Sequence, residues 1–509
     1  MPWLEWHNRN DDLKATAKTP YHLLQPVQSL SYGEADAVNM LIQGDNLQAL
    51  KALLPYYAGQ VKCIFIDPPY NTKSAFEHYD DNLEHAQWLS MMYPRMVLLR
   101  ELLSEDGSIW ITLDDNEAHY FKVMCDEIFG RRNFVANVFW QKTPTRENRT
   151  DFSSVHDHLF VYAKDRSVWK EVRNPLPASD SQIARFTNPD NDPRGVWASL
   201  PAHAKAEKGR RKEQFFTITT PSGRQVDPPP GRCWLYTEGR FAEMVNDGRI
   251  WFGESGNNAP RVKKFLSEVQ AGLVPSTLWL HDEVGTNGKA KSEVVALFPD
   301  ETPFSTPKPE ALIQRVIQIA SNPNDLILDS FLGSGTTAAV AHKMKRRWIG
   351  IEMGEHARSH CQPRLMKVVD GEQGGISASV GWQGGGGFRF YQLGPAVFDE
   401  QGRINPEIKF EHLAAHVWFT ETGTARGARA MKSPLLGVYN DTAYYLLFNG
   451  ILGDKSLTGG NMLTAKILAS LPRHDGPRVI YGEGTNMTEE RLRSLGITFK
   501  KTPNDIRAR

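Results

Sequence analysis

The chain has 509 residues and carries 59 Lys and Arg against 59 Asp and Glu, so its formal net charge is zero. This length exceeds what one ordinary hydrophobic core holds and predicts two or three domains. Zero net charge excludes a global positive field as the means of attracting a nucleic acid, so any such partner needs a local basic patch.

The amino-terminal stretch MPWLEWHNRNDDLK is polar and acidic, whereas a signal peptide begins with basic residues and an apolar run. No stretch of about 18 apolar residues predicts a membrane span. The four cysteines lie far apart without a CxxC pair, which argues against a zinc site and against a disulfide framework. We therefore expect a cytoplasmic protein with no membrane partner.

Helices and strands alternate in the first part of the chain. From Asn46, NLQALKALLPYYAG predicts a helix ending at Gly59, and VKCIFI predicts a short buried strand. WLSMMYPRMVLLRELLSEDG predicts a helix closed by Gly107, SIWITL a strand and VMCDEIFG another helix. This alternation predicts a mostly parallel sheet.

The strand VKCIFI runs directly into DPPYNT. An aspartate at the carboxyl end of a strand in such a sheet lies in the ligand crevice, and two prolines remove backbone donors and fix the direction of their carbonyl groups. This acceptor-rich turn suits an exocyclic amine, which would donate to Asp67 and to the Pro68 carbonyl while Tyr70 stacks on the base. The alternative is an ordinary β-turn with a capping aspartate.

The alternation of helices and strands stops between about Trp140 and Pro299. Turn-forming residues there separate short aromatic runs, which predicts an irregular, β-rich module. Within HDHLF, His156 and His158 point the same way from a predicted strand. Because the sequence places no third ligand near them, we expect ordinary polar contacts and no metal site.

The stretch HAKAEKGRRKEQF concentrates basic residues in a neutral chain. It is either a solvated loop or a patch that contacts phosphates. Its candidate DNA-binding residues are Lys205, Lys208, Arg210, Arg211 and Lys212.

Helices and strands alternate again after this region. EALIQRVIQIA predicts a helix and DLILDSF a strand; LGSGTTAAVAHKMKRRW then predicts a glycine turn that enters a helix, and WIGIE predicts a second strand. Gly333 and Gly335 allow close approach of a ligand to the backbone, and Glu352 ends the next strand, where a carboxylate can accept from both ribose hydroxyls. The turn lacks the third glycine of GxGxxG and the lysine of GxxxxGK. A nucleoside without phosphates, such as S-adenosylmethionine, fits; the alternative is a turn that only packs a helix on the sheet.

Together, GDNLQAL, DPPYNT, KPEALIQRVI and LDSFLGSGTTAAVAHKMKRRWIGIE resemble the β-group of DNA amino methyltransferases. GSIWITLDDNE, CDEIFGRRNF, HDHLFVYAK, NPDNDPRG, GRIWFG and GISASVGWQGGGGFRFYQL resemble, more closely, the modification (Mod) subunits of type III restriction-modification systems. The resemblance covers roughly residues 40–395.

The resemblance implies transfer of a methyl group from S-adenosylmethionine to a base flipped out of duplex DNA. The motif DPPY resembles the corresponding motif of enzymes that act on adenine N6. The implied catalytic residues are Asp67, Pro68, Pro69 and Tyr70. The implied cofactor-binding residues are Asp45, Lys308, Asp329, Phe331, Gly333, Gly335, Thr336 and Glu352.

The fold implied is an α/β, Rossmann-like methyltransferase sheet with an inserted β-rich target-recognition domain and a small C-terminal α/β appendage. The expected division of the chain is an N-terminal extension (1–39), the catalytic half (40–140), a target-recognition region (141–299), the cofactor half (300–395) and a C-terminal domain for dimerisation or partner docking (396–509).

The expected partners are duplex DNA, a second copy of the chain in a homodimer, and a helicase-nuclease restriction subunit, since GxxxxGK followed by Ser or Thr is absent from the sequence. Three alternatives stay open. The chain is a solitary methyltransferase or one from another defence system, it methylates RNA or cytosine N4, or it is a non-catalytic DNA-binding specificity subunit.

Overall fold

The computed structural model describes residues 3–72, 84–148, 150–177, 183–206, 211–269, 272–299, 304, 306–399, 403–425, 433–448 and 461–502. The chain divides into two compact units. Pro175–Pro275 forms the smaller unit, and Met1–Asn174 together with Ser276–Arg509 forms the larger one. In the described ranges, no helix combines the length and apolarity that a membrane span requires.

A mixed sheet organises the larger unit, and eleven strands from the described residues form it. They are β1 (His22–Pro26), β2 (Tyr32–Gly33), β3 (Asn39–Gln43), β4 (Val61–Ile66), β5 (Leu103–Leu113), β6 (Phe134–Gln141), β7 (His156–Ala163), β8 (Leu278–Trp279), β9 (Leu326–Asp329), β10 (Arg347–Glu352) and β11 (Gly387–Ala396). Their order is β1-β11-β3-β10-β9-β4-β5-β7-β6-β8, and β2 pairs with β11.

The centre of the sheet is parallel, because β9 pairs in parallel with β10 and β4, and β4 pairs in parallel with β5. The side chains of β9 are all buried, as both faces of a parallel sheet normally are. The predicted α/β class and the predicted strands VKCIFI and WIGIE are confirmed. Antiparallel pairing of β7 with β5 and with β6 makes the sheet mixed.

One predicted boundary is wrong. The helix in WLSMMYPRMVLLRELLSEDG ends at Leu102 and not near Gly107, because Leu103 already pairs with Val61 as the first residue of β5. The pairing register shifts before Ser108. A Cβ at Gly107 would lie 2.8 Å from the Val61 carbonyl oxygen, so glycine permits the close approach of the two strands there.

Seven helices of the larger unit are labelled here: α1 (Asn46–Tyr57), α2 (His85–Leu102), α3 (Ala118–Cys125), α4 (Glu310–Ala320), α5 (Thr336–Lys343), α6 (Gln362–Val369) and α7 (Phe410–Thr422). The other α-helical segments of the larger unit are Arg9–Asp12, Ala15–Lys18, Arg166–Val172, His281–Val284, Asn287–Leu297, Ser377–Val380, Ala465–Ser470 and Glu489–Ser494. The segments Gln28–Leu30 and Arg131–Asn133 are 3₁₀ turns, and Asp126–Gly130 and Ala357–Cys361 are π turns. α1 and α2 pack against each other, and their buried leucines, such as Leu53 and Leu99, belong to the same core cluster as Ile64 of β4.

A smaller sheet follows in the C-terminal part of the larger unit. Its strands are Leu435–Tyr439, Thr442–Leu446, Arg478–Gly482 and Ile497–Lys501, beside a short pair formed by Met462–Leu463 and Gly484–Thr485. Tyr445 and Leu447, from the apolar stretch AYYLLFNGIL, are fully buried in this part. These two side chains therefore belong to a core, and a dimerisation or docking role for residues 396–509 stays a prediction.

The smaller unit is rich in short strands, as predicted: Trp197–Pro201, His203–Lys205, Ile218–Thr219, Gln225–Val226, Arg232–Trp234, Ile250–Trp251 and Arg261–Phe265. It also contains the helices Glu238–Asn246 and Leu266–Val269 and the 3₁₀ turn Lys212–Gln214. Trp234, Phe241 and Ile250 belong to its own buried core. The unit contains fewer residues than the predicted region 141–299, because β7 and β8 belong to the main sheet. Its role in target recognition stays a prediction.

Candidate functional site

A cavity of about 430 Å³ lies where β4, β5 and β9 end. Residues from both predicted motifs line it: Asp67, Pro68, Pro69, Tyr70, Lys308, Asp329, Phe331, Gly333 and Thr336. The parallel pairing of β4 with β9 explains the meeting, since the carboxyl ends of parallel strands lie at one edge of the sheet. Asp45, Gly335 and Glu352 lie outside this lining.

Asp67 contacts side chains from two distant segments of the chain. The Thr112 hydroxyl donates to its Oδ1, and the Lys308 ammonium forms an ion pair with its Oδ2. Lys308 Nζ also lies 5.1 Å from the centre of the Tyr70 ring. Any further donor to Asp67 Oδ2 must therefore share the carboxylate with Lys308 or displace it.

The two prolines and Tyr70 form a fixed wall. Trp88 Nε1 donates to the Pro69 carbonyl oxygen over 2.8 Å, and the Tyr70 hydroxyl donates to Asp157 Oδ2 over 3.4 Å. Burial, together with Asp157 and Asp67, raises the pKa of Tyr70 well above its usual range, so its phenol stays neutral. The ring is available for stacking and the hydroxyl is held.

Asp157 and Lys142 are cavity residues that the sequence motifs missed. Lys142 Nζ lies 2.7 Å from Asp157 Oδ1. A signal existed, because Asp157 stands between His156 and His158, and the two-residue period of a strand sends it to the other face. The sequence could not show which face looks into the cavity.

Asn71 closes the DPPY turn in a left-handed conformation with φ of 60°. Its Nδ2 donates to Glu117 Oε1 over 2.7 Å, and Glu117 is buried. An asparagine tolerates this backbone conformation better than most residues, and its side chain anchors the turn. Glu117 thus supports the turn from outside the motif, a role that the sequence did not reveal.

Asp329 ends β9 and organises the glycine turn. Its Oδ1 accepts from the Phe331 backbone N–H over 2.9 Å, and its Oδ2 accepts from the Thr337 hydroxyl over 2.6 Å. The two hydrogen bonds lower the pKa of Asp329, but burial outweighs them and raises it to about 7. The nearby Asp67 and Glu352 add to the rise. Asp329 is therefore poised to gain or lose a proton near neutral pH.

Gly333 and Gly335 both adopt left-handed conformations, with φ of 57° and 83°. A Cβ at Gly333 would lie 3.4 Å from the Phe304 ring, and one at Gly335 would lie 3.4 Å from Cys361 Cα. The two glycines thus differ: Gly333 faces the cavity, whereas Gly335 packs behind the turn. α5 then begins at Thr336, whose hydroxyl oxygen accepts from Arg364 over 2.9 Å.

Glu352 ends β10 and is only 3% exposed. Its Oε2 accepts from the Gly333 backbone N–H over 2.6 Å, and its Oε1 lies 2.9 Å from His356 Nε2. It therefore reaches the cavity wall through Gly333. Its role as a ribose ligand stays a prediction.

Asp45 has structural contacts. Its Oδ1 caps α1 by accepting from the Gln48 backbone N–H over 3.1 Å, and its Oδ2 lies 2.9 Å from Arg95. The neighbouring Asn46 donates to the Ser330 carbonyl oxygen over 2.7 Å and so ties α1 to the glycine turn. A contact of Asp45 with the cofactor stays a prediction.

The predicted basic patch falls in the smaller unit. Lys205, Arg211 and Lys212 are exposed, and none of them forms an ion pair with a described residue. Lys205 stands opposite Arg232 in a strand pair, which adds a fourth cation. Lys208 and Arg210 lie outside the described residues. DNA binding by this patch stays a prediction.

The premise that no third ligand lies near the two histidines is wrong. Asp115 Oδ1 lies 2.9 Å from His158 Nε2, and the ligand atoms of Asp115, His156 and His158 all lie within 4.8 Å of one another. The cluster forms because Leu113, at the end of β5, pairs with His158 on β7. Such antiparallel pairing of distant segments has no sequence period that would reveal it.

A family model described as DNA methylase matches residues 61–362, more than half of the chain. This range begins with β4 and extends past the glycine turn to the start of α6. It therefore includes both motifs that line the cavity.

Curated relatives agree with this match. The chain is 34% identical over 330 residues to the Type III restriction-modification enzyme StyLTI Mod subunit of Salmonella typhimurium, covering 59% of this chain and 49% of the relative. It is 31% identical over 421 residues to the probable type III restriction-modification enzyme HindVI Mod subunit of Haemophilus influenzae, covering 70% and 54%. It is 30% identical over 322 residues to Type II methyltransferase M.EcaI of Enterobacter cloacae, covering 62% and 66%. The chain spans about half the length of the two Mod subunits.

Proposed function

The chain belongs to the DNA methylase family, and on that premise we propose that it transfers a methyl group from S-adenosylmethionine to N6 of adenine in duplex DNA. The observation that carries the proposal is the presence of the Asp67 carboxylate and the glycine turn in one cavity. Transfer of tritiated methyl groups into duplex DNA tests it. Absence of both transfer and cofactor binding in folded protein would contradict it.

Asp67 and the Pro68 carbonyl are the proposed acceptors for the two N–H bonds of the adenine amine. The Pro69 carbonyl already accepts from Trp88, so Pro68 supplies the second acceptor. With both N–H bonds held, the nitrogen lone pair is directed out of the base plane, and the positive charge that develops on nitrogen is stabilised by the same two acceptors. Asp67 is also the group placed to accept the proton that the amine loses.

The residues around the glycine turn fit S-adenosylmethionine. When bound, this cofactor supplies the methyl group. Asp329 is the proposed buried partner of its cationic end, and Glu352, behind Gly333, is the proposed acceptor for its ribose hydroxyls. The Ser330 hydroxyl is buried without a hydrogen-bond partner among the described residues. The glycine turn itself, GSGTTA, lacks the lysine that a phosphate loop requires.

Affinity for S-adenosylmethionine should rise with pH through the pKa of Asp329. Below about 7, Asp329 is mostly protonated and offers no negative charge to a cationic ligand; above it, the carboxylate ionises and binding strengthens. We expect the dissociation constant to fall by about tenfold between pH 6 and pH 8, since a group with a pKa of about 7 is about one-tenth ionised at pH 6 and about nine-tenths ionised at pH 8. Isothermal titration calorimetry at both values measures it. In Asp329→Asn this dependence should vanish, and an equally steep dependence in that variant would contradict the assignment.

Base recognition is proposed to lie in the smaller unit. Duplex DNA buries adenine N6 in the stack, so the base must be flipped out while another surface reads its neighbours. Support comes from the separate core of Pro175–Pro275 and from its exposed residues Lys205, Arg211 and Lys212.

Exchange of residues 175–275 for the corresponding segment of a related methyltransferase should change the methylated sequence and leave the methylated atom unchanged. The reason is that the residues proposed for the chemistry all lie in the larger unit. Single-molecule sequencing of DNA methylated by the parent and the exchanged protein gives the answer. An unchanged recognition sequence in an active exchange variant would refute the assignment.

The proposed partners are duplex DNA, a second copy of this chain, and a helicase-nuclease restriction subunit. The similarity to Mod subunits of restriction-modification enzymes supports the first and the last, and the absence of an ATP-binding GxxxxGK motif from the sequence agrees with the last. Light scattering tests the homodimer, since a monomer at micromolar concentration with full methylation activity would refute an obligate dimer.

A further inference from the structure

We propose that Asp115, His156 and His158 form a binding site for one zinc ion, on the side of β7 that faces away from the cavity. The proposal is independent of the reaction assigned to the cavity. It rests on the distances among the three side chains, on a fourth donor beside them and on the surroundings of His158.

The three side chains need only small movements to coordinate one ion. Asp115 Oδ1 and His158 Nε2 are 2.9 Å apart, and all three ligand atoms lie within 4.8 Å of one another. A tetrahedral zinc ion with bonds of about 2.0–2.1 Å needs ligand atoms about 3.3 Å apart. Rotation of the half-exposed His156 and the exposed Asp115 can supply the difference.

His119 is placed to be a fourth ligand. It lies on α3, its Nε2 is 4.0 Å from Asp115 Oδ1, and its ring centre is 5.7 Å from that of His158. Its side chain is 75% exposed and that of Asp115 is 61% exposed, which leaves a route for the ion to enter. The set is therefore three histidines and one carboxylate, drawn from β7, α3 and the segment that follows β5.

Of the two strand histidines, His158 is already held in place. The Phe139 ring centre lies 5.2 Å from the ring centres of both His156 and His158, and Phe160 stacks on His158 with an interplanar angle of 3°. His158 is only 4% exposed. Packing thus fixes one of the ligands before any ion binds, which lowers the entropic cost of assembling the site.

Asn137 provides the support that a metal-bound imidazole requires. Its amide lies 3.0 Å from His158 Nδ1, and its Oδ1 is buried without a hydrogen-bond partner in the described part of the chain. Rotating the amide by half a turn would let His158 Nδ1–H donate to Asn137 Oδ1 and leave the Nε2 lone pair for the ion. The unpartnered oxygen is thus satisfied in the state that binds metal.

The donor set selects the ion. Imidazole and carboxylate groups in tetrahedral arrangement suit Zn²⁺, whereas Mg²⁺ and Ca²⁺ prefer all-oxygen ligands. An ion here would link the end of β5 to the start of β7. These ends also carry Asp114 and Asp157, two residues of the cavity wall, so the ion would hold that wall in position.

Titration of tag-free, full-length protein with ZnCl₂ in a calorimeter tests the proposal, and Co²⁺ absorption spectra report the coordination. We expect one Zn²⁺ per chain, an affinity at least tenfold lower in Asp115→Asn and in His156→Ala, and no change in His7→Ala, an exposed histidine elsewhere. Circular dichroism confirms that the variants fold. Absence of stoichiometric zinc binding, unchanged affinity in both folded ligand variants, or equal affinity for Mg²⁺ would overturn the proposal.

Discussion

Replacement of Asp67 by alanine lowers the rate of methyl transfer to duplex DNA by about a hundredfold to a thousandfold, the usual effect of removing one charge-stabilising group from an active site. The binding of S-adenosylmethionine stays nearly unchanged, because Asp67 is proposed to contact the target amine and not the cofactor. Asp67 lies at the end of β4, and its carboxylate contacts Thr112 and Lys308. Rates measured at saturating cofactor and DNA separate the chemical step from binding.

Two control variants sharpen this test. Lys308→Met removes the other half of the ion pair and shows whether an unpaired lysine in the cavity causes the loss seen in Asp67→Ala. Glu352→Gln should give the reverse pattern, with cofactor affinity weakened by about 1–3 kcal/mol for the lost contacts and the rate at saturation largely kept. Full turnover in Asp67→Ala would refute the proposed mechanism.

Replacement of Glu310 by alanine lowers the free energy of unfolding by about 3–5 kcal/mol, because it leaves the buried Arg364 without its ion-pair partner and leaves the buried Lys343 paired with Glu372 alone. Glu310 is 1% exposed and begins α4. Its carboxylate lies 2.8 Å from Lys343 Nζ and 2.9 Å from Arg364 Nη2, and both basic side chains are almost completely buried. Arg364 in turn donates to Thr336 at the glycine turn, so cofactor binding should weaken as well.

Urea denaturation followed by circular dichroism measures the loss of stability. The matched control is Glu489→Ala, which breaks an exposed ion pair with Arg493 and should change the free energy of unfolding by less than about 1 kcal/mol. Similar losses in the two variants would show that the buried network does not stabilise the larger unit as described.

Sequence patterns were sufficient to predict the elements that carry the motifs. The helix EALIQRVIQIA and the strands VKCIFI and WIGIE are continuous, strongly patterned segments, and the structure has them as α4, β4 and β10. The location of Asp67 and Asp329 in one cavity was also predictable. Both residues follow or end parallel strands, and parallel strands present their carboxyl ends at one edge.

Side-chain contacts across antiparallel strands were not predictable. Asp157, Lys142 and the Asp115 cluster depend on the pairing of β7 with β5 and β6, and neither pairing leaves a local signal. The bulge at Gly107 was missed for a related reason, since helix periodicity continues beyond the point where strand pairing with Val61 ends the helix. Tertiary pairing overrides local propensity at these places.

The most direct measurement of the central claim is base-resolved, single-molecule sequencing of unmethylated duplex DNA incubated with the purified protein and S-adenosylmethionine, with Asp67→Ala as the control. Our account predicts N6-methyladenine at one defined sequence context and none in the control. Methylation of cytosine N4, or the absence of any methylated base although the folded protein binds S-adenosylmethionine, would contradict it.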